Sequence, residues 1–418
     1  MNLLHINKPL LQPLKVLVVN PLAPASQLFI VKMMSGVVFS DDQLIDLNLI
    51  VSSNDLKSAE SFVLELESCA FSCTNSIKIS SDMSSANDAD VFCFITDFDN
   101  PNYVEFDNEN IDKEFNALYL IIKLANSFSW LNDTDTEGIK AIKNAESSRS
   151  TKKHTEMEKI ISNKEKKAIF LVDGIVAIDI LQSLSKNMPS DIFFCPTPIS
   201  AIAKSVLGDY LNVHCNVIND VLVWAANDNV FHVEVKKPII IHDDVSDNSH
   251  CDEDKVIGKD LLEQLNLDST QFSASWLKKE FIEKVASSAS KNPYGCIYRA
   301  VVFSKTLRDI WLTRIQDDGK KVYNNMGVIS DGSLGTIKGL PYVLPVVFTK
   351  GNWSVNKLYE DDVHLKQEIN RINKEVKQRH DQMIAYCKKF LQDNIIHQPF
   401  TDEYSTNSMS SVSGYKNC

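Results

Sequence analysis

His214, His232, Arg299, Arg308 and Arg314 are the residues of this chain best able to move a proton or hold an anion. Their settings point to structural work. His232 lies in Phe231-His232-Val233-Glu234-Val235, an alternating strand pattern that gives it a packing or surface role. His214 falls at a helix–strand junction. The acidic run from Asp97 to Glu114 could hold a divalent cation, but its spacing is not that of a calcium loop, so it reads as a solvated loop. Gly332-Ser333-Leu334-Gly335 has the small residues of a phosphate loop and reads as a turn.

The elements that must position these groups are legible from periodicity. Lys15–Val19, Asp90–Ile95, Ala168–Val172 and Asp191–Phe194 are short apolar runs of the kind buried on both faces of a parallel sheet, and Leu44–Val51 is a further strand. Helices are expected at Ser26–Met34 and Leu56–Ala70. Strands alternating with helices at this spacing imply an α/β, doubly wound parallel sheet. After Pro196 the pattern changes to α+β. Strands are expected at Val217–Ala225, Met326–Ser330, Val343–Thr349 and Trp353–Val355, the last three antiparallel. Helices are expected at Ser275–Ser290, Ile297–Thr313 and His364–Gln392. The expected domains are a Rossmann-type unit over 14–196, interrupted by a polar insertion at 132–167, a second unit over 197–393, and a disordered tail over 394–418.

A formal charge of −12 on 418 residues argues against nucleic acid or anionic membrane as a partner. Nine cysteines without a Cys-x-x-Cys pair suit reduced thiols, and no stretch approaches the roughly 20 apolar residues of a membrane span. A cytoplasmic protein is the expectation.

Several segments carry a resemblance. Arg308-Asp309-Ile310-Trp311 leads to Met326-Gly327-Val328-Ile329-Ser330-Asp331-Gly332. Phe62–Ala70 reads FVLELESCA, Val217–Trp224 reads VINDVLVW, Ser275–Phe281 reads SWLKKEF, and Tyr342–Val347 reads YVLPVV. Together, in order, they resemble the cytosolic type of malate dehydrogenase, within the lactate/malate dehydrogenase superfamily, over roughly residues 14–393. The resemblance implies a Rossmann-type domain with a family-type C-terminal α+β domain, an NAD cofactor, malate–oxaloacetate chemistry, and a homodimer formed partly through the helix at Leu56–Ala70.

It also locates the chemistry, position by position. Hydride transfer from malate needs a base, a carboxylate to orient it, and arginines for the substrate carboxylates. At the family's histidine stands Asn227, which cannot take a proton near neutral pH. Ser200 stands at the orienting aspartate and Ala203 at a substrate arginine. The family's glycine-rich turn is replaced by Asn20-Pro21-Leu22-Ala23-Pro24, and proline removes amide donors that a pyrophosphate needs. The ribose carboxylate position falls on Ser52, with Asp55 nearby. Val172-Asp173-Gly174-Ile175 replaces Val-Gly-Asn-Pro, so Gly174 stands where an asparagine is expected. The family's mobile loop carries arginines; here it is Thr96-Asp97-Phe98-Asp99-Asn100-Pro101.

The expectation is a catalytically impaired homologue acting as a scaffold or regulatory binding protein, with no intact cofactor or metal site and an unknown protein partner. The alternative is an NAD-dependent malate dehydrogenase whose histidine and arginine reach the site from unexpected positions. A third reading is a binding module for a neutral or cationic ligand.

Overall fold

The computed structural model describes residues 12–81, 89–104, 117–126, 168–185, 188–218, 221–236, 239, 261–268, 272–291, 293–315 and 321–394. The expected insertion at 132–167 and the expected tail at 394–418, apart from Asn394, which ends a helix, lie outside them, as does the acidic run beyond Val104.

The N-terminal half alternates strand and helix: β1 (Leu14–Val19), α1 (Pro24–Lys32), β2 (Ile45–Ile50), α2 (Leu56–Ser68), β3 (Thr74–Ser80), β4 (Val91–Phe94), α3 (117–126), β5 (Ile169–Val172), α4 (Ile175–Leu184) and β6 (Phe193–Cys195). These strands pair in parallel in the order β3-β2-β1-β4-β5-β6. The runs were apolar throughout because each strand is covered on both sides. In β1, Leu17 and Val19 enter one core and Leu14, Val16 and Val18 the other.

The second half supplies α5 (Ile199–Leu211), β7 (Val221–Ala225), β8 (Phe231–Val235), α6 (Phe281–Ala289), α7 (Cys296–Ile315), β9 (Val322–Ile329), β10 (Pro341–Thr349), β11 (Asn352–Val355) and α8 (Val363–Asn394). Its strands are antiparallel and continue the same sheet, β9 pairing with β6 and β10 with both β9 and β7. At the β6–β9 junction, a Cβ on Gly327 would lie 2.1 Å from Cys195 Sγ, so any larger residue there requires the buried Cys195 side chain to move.

Two local expectations are corrected. The strand expected from Val217 starts at Val221, because Cys215–Val217 forms a single 3-10 turn capped by His214. The helix expected to open at Ser275 begins as a wide π turn at Phe272 and becomes α-helical at Phe281. The strand β3 and the helix α4 were absent from the sequence reading. Among the described residues no helix is long and apolar enough to cross a membrane, and the cysteines are free thiols.

Candidate functional site

In an open parallel sheet, ligands bind beyond the carboxyl ends of the strands, where the strand order reverses. Here that point lies between β1 and β4, and two side chains close it. Asn20, just after β1, holds a left-handed φ of 56°. Its amide nitrogen donates to both carboxylate oxygens of Asp97, just after β4, at 2.9 Å each. The helix N-terminus behind this turn would suit a pyrophosphate through its free N–H groups. Pro24, the first residue of α1, removes one of them, and Pro21 removes a further amide donor from the turn itself. A phosphate at about 4 Å from the Asp97 carboxylate would be repelled by about 4 kcal/mol at an effective dielectric near 20. The residues present do not fit a dinucleotide pyrophosphate in this arrangement.

A strap, Thr96–Val104, continues from β4 across the end of β5. Phe98 and Val104 root it in the core. Arg299 of α7 holds its backbone, Nη1 donating to the Thr96 carbonyl at 2.7 Å and Nη2 to the carbonyls of Phe98 and, at 3.3 Å, Asp99. The same Nη1 lies 3.3 Å from Asp173 Oδ2, in an ion pair whose two side chains are both less than a tenth exposed. Asn102, 1% exposed, is the keystone. Its Oδ1 accepts the Ile175 N–H at 3.0 Å, one of the otherwise unpaired donors in the first turn of α4. Its Nδ2 donates to Asp228 Oδ1 at 3.2 Å and to the Tyr294 hydroxyl at 2.7 Å. Tyr294 in turn donates to Asp228 Oδ2.

Gly174 makes this closure sterically possible. Its φ is +98°, and a Cβ there would stand 2.2 Å from the Pro101 carbonyl oxygen. That carbonyl also accepts the Val176 N–H at 3.3 Å. Burial pushes the Asp173 carboxyl up to about 6 against the pull of Arg299, and raises Asp228 against its bonds from Tyr294 and Asn102.

The positions singled out by resemblance are held separately. Asn227, 1% exposed, caps the turn between β7 and β8: its Oδ1 accepts the N–H groups of Asn229 at 2.9 Å and Val230 at 2.8 Å. Its Nδ2 donates to Glu375 of α8 at 3.1 Å. Ser200 meets a different element, accepting from Asn325 Nδ2 of β9 at 3.1 Å. Ala203 is packed in the core. Ser52, at the end of β2, donates to Asp55 Oδ2 at 2.7 Å, so a carboxylate does reach that position from three residues on. His232 is buried against Trp224 and His364 and lies 3.0 Å from Glu234, a packing role. Gly332–Gly335 forms a turn.

Two groups were missed. The first is the network of Asn102, Asp173, Asp228, Tyr294 and Arg299. The second joins α4 and α8: His380 Nδ1 lies 2.8 Å from Asp179 Oδ1, and the neighbouring Arg379 is buried with Nη1 donating to the Ala226 carbonyl, beside Asn227. A signal existed for both arginines. Val376, Arg379 and Met383 share one stripe of α8, and Arg299, Phe303 and Leu307 one stripe of α7, so each cation stands in an apolar face.

The architecture is that of the lactate and malate dehydrogenases. The chain superposes on malate dehydrogenase from Naegleria fowleri with a TM-score of 0.61 at 13% identity, covering 90% of this chain and 99% of that one. It superposes on Trichomonas vaginalis lactate dehydrogenase, in a structure with NADH and oxamate, with a TM-score of 0.62 at 12% identity and the same coverage. In sequence it is similar to cytoplasmic malate dehydrogenase 3 of Arabidopsis thaliana, 26% identical over 215 residues, half of this chain. It is also similar to a provisionally named malate dehydrogenase 1B of Bos taurus, 23% identical over 349 residues, 83% of this chain. The chain spans 56% and 64% of the lengths of these two relatives. No protein-family model matches it. Fold and sequence together relate the chain to the lactate/malate dehydrogenase superfamily, with a divergent member of the malate branch among its sequence relatives.

Proposed function

We propose that this chain is a malate-dehydrogenase-like protein that does not transfer hydride, and that it serves as a cytoplasmic scaffold or regulatory binding protein, as a homodimer joined partly through α2. The observation that carries the reading is the bridged switch point. Asn20 and Asp97 are bonded to each other where a dinucleotide would lie, and Asn102 joins the start of α4 to Asp228. The loss of base and orienting acid at Asn227 and Ser200 supports it, since each side chain is committed to a structural bond elsewhere. Calorimetry with NADH tests it. Titration to millimolar concentration gives no saturable heat on this reading, and saturable binding in the micromolar range refutes it.

A second reading, an NAD-dependent malate dehydrogenase with displaced residues, is favoured by the α4–α8 group. Asp179 orients His380 as a carboxylate orients a catalytic histidine, and Arg379 lies beside Asn227. Asp55 at Ser52 supplies an acid at the end of β2. On this reading the strap must swing away, and His380→Gln abolishes an NADH-dependent reduction of oxaloacetate that the unsubstituted chain performs.

A further inference from the structure

We infer that the strap Thr96–Val104 is a proton-linked latch: closing it over the ends of β4 and β5 retains a proton in the Asp173–Asp228 pair, so closure weakens as the pH rises toward neutral. The inference deepens the closed-site reading and rests on it only for the strap's position.

The argument begins with charge. Asp173 and Asp228 are buried in one cluster, in which Arg299 is the cation set against Asp173 while Asp228 is held by neutral donors. The other titratable groups facing Asp173 are neutral near pH 7: Tyr294 and Tyr298, both raised well above the ordinary tyrosine range, and Cys195, a buried thiol. Asp97 and Asp99 of the strap itself are exposed and reach water. Two carboxylates against one guanidinium leave an uncompensated buried charge unless a proton stays.

Geometry says which carboxyl keeps it. Asp228 receives donors on both oxygens, from Asn102 and Tyr294, and is equipped to remain ionised. Asp173 has the Arg299 contact at 3.3 Å and the Thr96 hydroxyl beside it, and its Oδ2 lacks a well-formed hydrogen bond. When the strap lifts, Asn102 and the Arg299-held carbonyls leave, water reaches Asp173, and its affinity for the proton falls to that of an ordinary aspartate. A group that binds its proton more tightly in the closed form favours closure fully below its open-state value, and that advantage is lost as pH rises through about 6.

The first turn of α4 reports the latch directly, because the N–H groups of Ile175 and Val176 are bound by strap atoms, Asn102 Oδ1 and the Pro101 carbonyl. Hydrogen exchange of the full chain, read on peptides covering 174–178 and corrected for the intrinsic pH dependence of exchange, makes the measurement. Protection there is expected to fall about tenfold between about pH 5 and about pH 7.5, while peptides of β1 and β2 stay protected. Asp173→Asn, which mimics the protonated acid, keeps the low-pH protection at both values. Tyr294→Phe, which strips a donor from the ionised Asp228, lowers protection most at the higher value. Equal protection of unsubstituted chain at the two values overturns the latch, as does a Tyr294→Phe strap as protected as the original. NADH binding by calorimetry would defeat the closed-site reading alone, so the two failures are told apart.

Discussion

Asn227 is held in a structural role. It satisfies two backbone N–H groups of a tight turn and ties that turn to Glu375. Asn227→Ala is expected to cost about 1–3 kcal/mol, because buried donors lose their acceptor, and urea denaturation measures it. Arg299 carries more. It grips the strap backbone and, above about pH 6 where Asp173 is ionised, neutralises that carboxylate, so Arg299→Met should destabilise the chain there by about 3–5 kcal/mol through an unpaired buried carboxylate. Adding Asp173→Asn to Arg299→Met should recover a large part of that loss in the same measurement, which a purely steric role for Arg299 would not allow. Much at this scale was legible. The absence of a histidine at Asn227, of an acid at Ser200 and of glycines at Asn20–Pro24 is a matter of residue identity. The hydrogen-bonded network near the strap was not legible. The network of Asn102, Asp173, Asp228, Tyr294 and Arg299 draws on segments far apart in the chain, and no local spacing relates them.

Elements differed in how plainly they announced themselves. β1, β4 and β5 were visible because burial on both faces demands unbroken apolar runs. β3 was missed because Thr74–Ser80 lies at the sheet edge and alternates with polar residues that keep that edge open. α4 was missed for the opposite reason. Ile175–Val176–Ala177–Ile178 is buried all round, so it shows no 3.6-residue period. The helix α8 was clear from its stripe, yet that stripe also contains Arg379, and its partner His380 clamps it to α4. The hydrogen bond from Asp179 raises the His380 pKa, with partial burial opposing. A raised histidine stabilises the fold fully below its unfolded value near 6.5 and loses that contribution as pH rises through the higher folded value. Urea midpoints should therefore fall with pH above about 6.5, and His380→Gln should flatten that part of the profile; an unchanged slope would show that the clamp is unimportant.

For the whole molecule, the sheet fuses two patterns, parallel β3 to β6 and antiparallel β9 to β8, across the β6–β9 junction at Gly327. The sequence pattern changes after Pro196, just past the end of β6, while the continuity of the sheet could be seen only once the strands were paired. On the proposed reading, a dehydrogenase frame is kept and its ligand edge is sealed by its own strap. The acidic balance of the chain suits this, since Asp97 and Asp99 stand where a dicarboxylate substrate would need cations. The most direct measurement follows NADH absorbance in the presence of oxaloacetate and the purified full chain. The account predicts consumption no faster than in the protein-free mixture. Turnover above about 1 s⁻¹, within the ordinary range of enzymes, would contradict it.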